Sequence, residues 1–328
     1  MTYMRELRAV NGRKGLLDVG LPALYDELIL NLLIWKELTM TKADKYLVND
    51  IHNILDNGYR DVNPRPKYED GTPAYTISVN HVVRKYDLSA GEFPICTLRR
   101  QAWKTGIREI FTIYQKPTNV LAEMEEMGVT WWGPWDIGDG TIGQRYGATV
   151  KRYDLINKLI EDIRKDPYGR RKIVSLWQEA DLHETPGLPP CAFLTIWNVR
   201  GEYLDMVLVQ RSGDMLTASG AGGINEIQYA SLLMMIARVT GYKPGVFTHF
   251  VANEQIYDRH MDNAQEMLRR AAECEESEKS KGDGEPSPVP QLVLHKEAGC
   301  EFTDITLDDF EMIDYDPMKP QLKFELGI

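Results

Sequence analysis

CAFLTIWNVRGEYLDMVLV, residues 191–209, decides the reading of the fold. Two runs of β-branched, aromatic and aliphatic residues, CAFLTIWNV and EYLDMVLV, flank Arg200-Gly201. That pattern predicts two strands joined by a turn. KIVSLW (172–177) predicts a strand before them, and GVFTHFVANEQIY (245–257) one after. INEIQYASLLMMIARVTG (224–241) lies between, a long apolar run ending at a glycine, and reads as a helix. Further upstream, Leu155, Ile156, Leu159, Ile160 and Ile163 recur at helical spacing and stop before Pro167. Trp103, Ile107, Ile110, Phe111 and Tyr114 do the same. PAYTISVNHVV (73–83) alternates as a strand does, with Tyr75, Ile77 and Val79 on one side. MTKADKYLVNDIHNILDNG (40–58) predicts a helix with Thr41 as N-cap, Leu47, Val48, Ile51, Ile54 and Leu55 on one face, and Gly58 at its end.

Downstream, a helix is expected from about His260, then an acidic Ser/Gly/Pro-rich insertion loop at about 273–290, then a last strand, LKFELGI (322–328). Strands cluster in the middle of the chain and helices do not strictly alternate with them, so the expected class is α+β with a mixed sheet. No GxxxxGK[ST] loop occurs. SGAGG (219–223) lacks the strand–turn–acidic context of a dinucleotide fingerprint. The first 39 residues read as an appendage, or an upstream mis-assigned start, ahead of one domain over 40–328. Its apolar stretch Leu16–Trp35 is interrupted by Asp18, Asp26 and Glu27, which disfavours a membrane span. Pro22 to Trp35 reads as a short amphipathic helix.

The 328 residues are 43% hydrophobic and 27% charged, ordinary globular values, with a net charge of -11. That acidity argues against a general nucleic-acid or membrane-surface binder, so any anion site must be a local cluster. Cys96, Cys191, Cys274 and Cys300 are scattered without metal-ligand or disulfide-framework spacing, so no metal is expected and a reducing cytoplasm is.

Against that background several residues carry chemistry. LPPC sets Cys191 at the mouth of a strand; free cysteines are commonly packed core, but a thiol braced by Pro189 and Pro190 is also a candidate nucleophile. Arg65 in NPRPKYEDG, Arg170 and Arg171 in DPYGRRK, and Arg211 with Ser212 in QRSGD occupy polar turns. Their guanidinium forks suit one phosphate if they converge. Trp131, Trp132 and Trp135 in WWGPWDIGDGTIGQRYG suggest an exposed stacking platform for a flat heterocycle. Glu109, between apolar neighbours, is either a solvated carboxylate or a partly buried acid fit for proton transfer.

GLPPC, QRSGD about twenty residues on, INEIQY and IYDRH closely resemble the folate-dependent thymidylate synthase family, and DGTIGQRYG, DPYGRR, AWKTGIREI and KFELGI match it in the same order. The resemblance covers roughly Met40 to Ile328. It implies a mixed sheet layered with helices, sheets packing back to back in a homodimer. It also implies that 5,10-methylenetetrahydrofolate methylates dUMP to dTMP through a Cys191–C6 adduct, giving dihydrofolate. Glu109 and Tyr146 match the proton-relay positions. Arg65, Arg211 and Ser212, with Arg170 and Arg171 from the partner subunit, match the phosphate site. Gln210, Asp214, Asn225, Gln255 and Tyr257 match further dUMP contacts, Asn225 reading uracil and Tyr257 the ribose. Trp132, Trp135, Leu188, Asp214 and Ile328 match the folate site.

Three departures stand out. Ala192 follows Cys191 where many members have histidine, TASGAGGI replaces a shorter apolar run, and Gln255 stands where histidine is usual. They keep as rivals a related C5-methylase or hydroxymethylase acting on UMP or dCMP. Asn225 speaks against the cytosine substrate. A nucleotide- or RNA-binding relative without catalysis is the other rival, disfavoured because binding alone does not need the thiol.

Overall fold

The computed structural model describes residues 39–280 and 288–327. The expected appendage, apart from Thr39, and its amphipathic helix fall outside those residues. The seven strands of the main sheet are β1 (Tyr59–Arg60), β2 (Thr76–Asp87), β3 (Ile173–Ser175), β4 (Ala192–Arg200), β5 (Tyr203–Gln210), β6 (Gly213–Asp214) and β7 (Lys243–Tyr257). Their order is β1-β2-β7-β5-β4-β3, with β6 beside β7. The β5–β7 and β6–β7 pairs are parallel and the others antiparallel, so the sheet is mixed as expected. The opening stretch forms the β4–β5 hairpin, with Arg200 opposite Tyr203 around the turn.

The helices are α1 (Lys42–Asn57), α2 (Trp103–Ile110), α3 (Leu121–Glu126), α4 (Gly147–Tyr153), α5 (Leu155–Lys165), α6 (Glu179–Glu184), α7 (Ile224–Thr240) and α8 (Met261–Ser280). Thr41 and Asp44 close a reciprocal capping box on α1. Leu204, Met206 and Leu208 of β5 and Phe247 of β7 point to one face of the sheet and are fully buried. The nearly all-buried α7 packs on β5, β7 and α2. On the opposite face Ile196, Val207, Thr248 and Phe250 are only half-buried, and Val83 and Ile173 are exposed. No helix among the described residues is long and apolar enough to cross a membrane.

Three expectations need correction. LKFELGI is not a strand: residues 321–327 run extended without a ladder. Side chains meet that backbone instead, Asn263 donating to the Lys323 carbonyl at 2.7 Å and His260 Nε2 contacting the Glu325 carbonyl at 2.8 Å. The acidic stretch is not all loop, because α8 continues through Ser280. Buried Cys274 and Ser277 and the Arg269–Glu273 pair hold that extra length in the helix. Finally, the Trp103–Tyr114 periodicity spans two conformations, since Phe111–Gln115 forms a π-turn after α2. A second π-turn, Met215–Ser219, precedes α7, and residues of both turns line the cleft described next.

Candidate active site

A single cleft of about 1440 Å³ opens where β4, β5, β7, α2 and α7 meet. Cys191 sits in it, one residue before β4. Arg211, one residue after β5, reaches back: Nε donates to the Pro190 carbonyl at 3.0 Å and Nη2 to the Pro189 carbonyl at 2.8 Å. Its backbone N–H donates to the Cys191 carbonyl at 2.9 Å. The Pro-Pro brace therefore locks to the far end of the hairpin, and Arg211 Nη2 comes to 3.5 Å from Cys191 Sγ. Burial pushes the Cys191 thiol up, opposed by the positive charges of Arg211 and then Arg65.

Tyr146 stands on the other side of the thiol, its hydroxyl accepting the Cys191 backbone N–H at 3.3 Å. It holds φ at +47°, sparsely populated for a non-glycine residue. Gly147 beside it has no room for a side chain, since a Cβ there would lie 2.3 Å from the Thr118 carbonyl oxygen. Burial pushes the Tyr146 hydroxyl well above its usual range.

Glu109 on α2 is buried and accepts from the Trp132 indole and the Gln228 amide. Burial raises its pKa, and the donating side chains of Trp131, Trp132 and Gln228 partly offset that. Of the two sequence alternatives, the structure places Glu109 as the buried acid. Gln228 also accepts from Asn225 Nδ2 at 3.0 Å, so it ties the acid to the α7 amide. The sequence reading missed Gln228; its three-residue spacing from Asn225 on one helix was the available signal. Asn225 Oδ1 accepts from Ser219 Oγ at 2.9 Å and Gln210 Nε2 at 3.2 Å.

The thymidylate synthase family model matches residues 45–328. The chain belongs to the thymidylate synthase family. A thymidylate synthase of Lactococcus lactis subsp. lactis (strain IL1403) is 49% identical over 295 residues, 88% of this chain and 100% of that one. One of Streptococcus pneumoniae (strain 70585) is 47% identical over 296 residues, again 88% of this chain and 100% of the relative. A solved structure, thermostable thymidylate synthase A from Bacillus subtilis, matches with a TM-score of 0.75 at 32% identity, over 87% of this chain and 99% of that one.

Most residues singled out from the thymidylate synthase resemblance meet in this cleft. Arg65, Arg211, Ser212, Gln255 and Tyr257 line its polar side, with Ser212 Oγ 3.5 Å from Gln255. Trp135, Leu188, Ile113 and Ile137 line a more apolar part, and half-buried Asp214 caps the second π-turn through the Thr217 N–H at 3.4 Å. Arg170 and Arg171 stand exposed on the turn between α5 and β3 and do not reach the cleft, so of the four arginines singled out for a phosphate Arg65 and Arg211 line it, alongside Arg99 and Arg100. The expected tryptophan platform also differs. Trp132 is buried, edge-on to Trp135 at 5.5 Å and tilted against Tyr146 at 5.0 Å, because its indole is drawn in to the Glu109 carboxylate. Leu326 and Gly327 reach the cleft, while Ile328 lies outside the described residues. The glycine-rich run before α7 has a steric cause: Gly222 holds φ at +66°, and a Cβ there would lie 2.3 Å from Cys96 N.

Proposed function

We propose that the chain is a thymidylate synthase, converting dUMP to dTMP with 5,10-methylenetetrahydrofolate as one-carbon and hydride donor. One observation carries this reading: the Cys191 thiol lies 3.5 Å from the Arg211 guanidinium in the cleft that Tyr146, Glu109 and Asn225 also line. The cleft exceeds the roughly 300–1,000 Å³ of a single-ligand site, which supports a nucleotide and a second ligand side by side. Its lining offers both kinds of surface, arginines and amides together with Trp135, Leu188, Ile113 and Ile137.

On this reading the residues take the following roles. Arg65, Arg211 and Ser212 hold the phosphate, and Gln255 and Tyr257 hold the ribose. Asn225 pairs with the pyrimidine edge, donating to O4 and accepting from N3–H. Cys191, as thiolate, adds to C6 of the uracil and pushes electrons toward C5 and O4, making C5 nucleophilic. Bound methylenetetrahydrofolate supplies the one-carbon unit and the hydride. The Tyr146 hydroxyl and buried Glu109 flank the reacting ring, Tyr146 toward the C5 proton and Glu109, through Gln228, toward the O4 edge. Expulsion of the thiolate then frees dTMP.

The half-exposed apolar face of the sheet, running from Ile173 through Ile196, Val207 and Phe250 to Val83, fits a second copy of the chain. Such a dimer would deliver the partner's Arg170 and Arg171 to the phosphate. The four free cysteines fit a cytoplasmic enzyme.

The test is covalent trapping. Incubation with 5-fluoro-dUMP and methylenetetrahydrofolate should give a ternary adduct on the Cys191 peptide by mass spectrometry. Folded protein that binds the nucleotide without forming the adduct refutes the catalytic reading. The ribonucleotide analogue measures sugar choice at Gln255, and product analysis with dUMP separates methyl from hydroxymethyl transfer.

A further inference from the structure

Beneath the pyrimidine end of the cleft lies an ion cluster, buried except at Asp50, that the reaction does not use. Arg84 of β2 binds Asp50 at 2.7 Å and Glu226 at 3.2 Å, and also Glu254. Glu226 accepts from four donors: Arg84, the Tyr86 hydroxyl and the Gly222 N–H, each at 2.7 Å except Arg84, and His249 Nδ1 at 3.0 Å. Those charges hold it ionised, its pKa lowered chiefly by Arg84 against the burial that would raise it. Facing an ionised carboxylate, Nδ1 of His249 must carry a proton.

The other nitrogen, Nε2, lies 3.1 Å from Gln210 Oε1. Gln210 cannot turn its amide around, because its Nε2 donates to the Ser212 backbone carbonyl at 2.9 Å, and a reversed amide would set oxygen against oxygen. So Nε2 of His249 donates as well. With that end fixed, Gln210 Nε2 faces Ser219 Oγ at 2.7 Å and Asn225 Oδ1 at 3.2 Å, and Ser219 Oγ, accepting from Gln210, donates in turn to Asn225 Oδ1 at 2.9 Å. Asn225 is thereby oriented oxygen toward Gln210 and Ser219, amide toward Gln228. A carboxamide matches uracil in one orientation and cytosine in the other, since the two bases exchange donor and acceptor at N3 and C4.

We propose that His249 is a positioning residue for base choice: braced by Glu226, it acts through Gln210 to fix the Asn225 carboxamide in the orientation that accepts uracil and refuses cytosine. The proposal rests on the reading of Asn225 as the group that pairs with the pyrimidine. Burial, and the Arg84 charge beside it, lower the His249 pKa, and what opposes them is the pair of acceptors at its two nitrogens, Glu226 and Gln210. Gln228 holds the other end of Asn225 independently of Gln210, so loss of the relay weakens the choice without abolishing it.

The test measures dissociation constants of the full-length protein for dUMP and dCMP by calorimetry. Glutamine places an amide near Nε2 of the histidine it replaces, and asparagine near Nδ1. His249→Gln should keep the dUMP preference within about threefold, and His249→Asn should lose about tenfold of it, the scale of one buried hydrogen bond. Equal preference in the two variants, whether kept or lost, overturns the relay, because a merely structural histidine would not distinguish them. Asn225→Asp separates the two layers. If it leaves the dUMP to dCMP ratio unchanged, the base-reading role of Asn225 fails and the relay with it. If it shifts the ratio while the His249 pair behaves alike, only the relay fails. A variant that does not fold leaves a direct reading in the wild-type protein. Among the described residues only His249 and His260 are buried histidines. Nitrogen-15 spectra of histidine-labelled protein should show one ring with both nitrogens protonated and slow to exchange; absence of any such ring overturns the proposal.

Discussion

Removing the Arg211 charge should move the Cys191 thiol measurably. The guanidinium nitrogen lies 3.5 Å from Sγ. Two unit charges at that distance interact by about 4–5 kcal/mol at an effective dielectric near 20, and by only about 1 kcal/mol in water. Both groups are partly exposed to an open cleft, so solvent screening brings the expected figure to about 1.4–2.7 kcal/mol, or about one to two pK units. The sign follows from the cause: a cation favours the thiolate, so its removal raises a thiol that burial has already pushed up. Arg211 also clamps two proline carbonyls, so Arg211→Lys, which keeps the charge and loses the fork, separates charge from scaffold. The assay is alkylation by iodoacetamide across pH, followed on the Cys191 peptide so that half-exposed Cys300 does not interfere. Arg211→Met should react about 10- to 100-fold more slowly near pH 7, its profile displaced to higher pH, with Arg211→Lys closer to wild type. A profile that stays in place in Arg211→Met would refute the electrostatic account of the thiol.

Trp132→Phe removes one donor from the Glu109 carboxylate. Donation favours the ionised form, so the acid limb of the kcat profile should rise by about one pH unit, and an unmoved limb counts against Glu109 as a working acid. Arg170→Ala and Cys191→Ala should each be inactive alone, yet mixed dimers should regain one working site per dimer; failure to complement removes the shared phosphate site. Glu266, held by Arg269 and Arg270, has its carboxyl lowered to about 2 from an ordinary 4.5. Its contribution to stability is therefore full above about pH 4.5 and lost as pH falls toward 2, and Glu266→Gln should flatten that part of a thermal-unfolding series. An unchanged slope between those pH values would show that the pair contributes nothing.

The strands at 192–200 and 203–210 were legible from β-branched and aromatic runs around a turn, and helix α7 because burial all round leaves a long apolar run that ends at a glycine. A strand-like run misled at the C-terminus. Leu322 and Phe324 alternate as in a strand and are half-buried, but alternation reports a buried side, not a ladder, and there the backbone partners are His260 and Asn263 side chains. Motifs in order were enough to list Cys191, Tyr146, Glu109 and Asn225, because each sits in a local context that the chemistry demands. Their orientations were not legible, since they depend on partners far away in the chain: Glu109 on Trp132 and Gln228, Asn225 on Gln210 and Ser219, Gln210 on His249. An amide has the same composition whichever way it faces. Which end of Asn225 meets the base is therefore set by a carbonyl at Ser212 and a carboxylate at Glu226, neither of which hydrogen-bonds its carboxamide. A substitution at His249 should thus change what the cleft prefers without altering any of the side chains that line it.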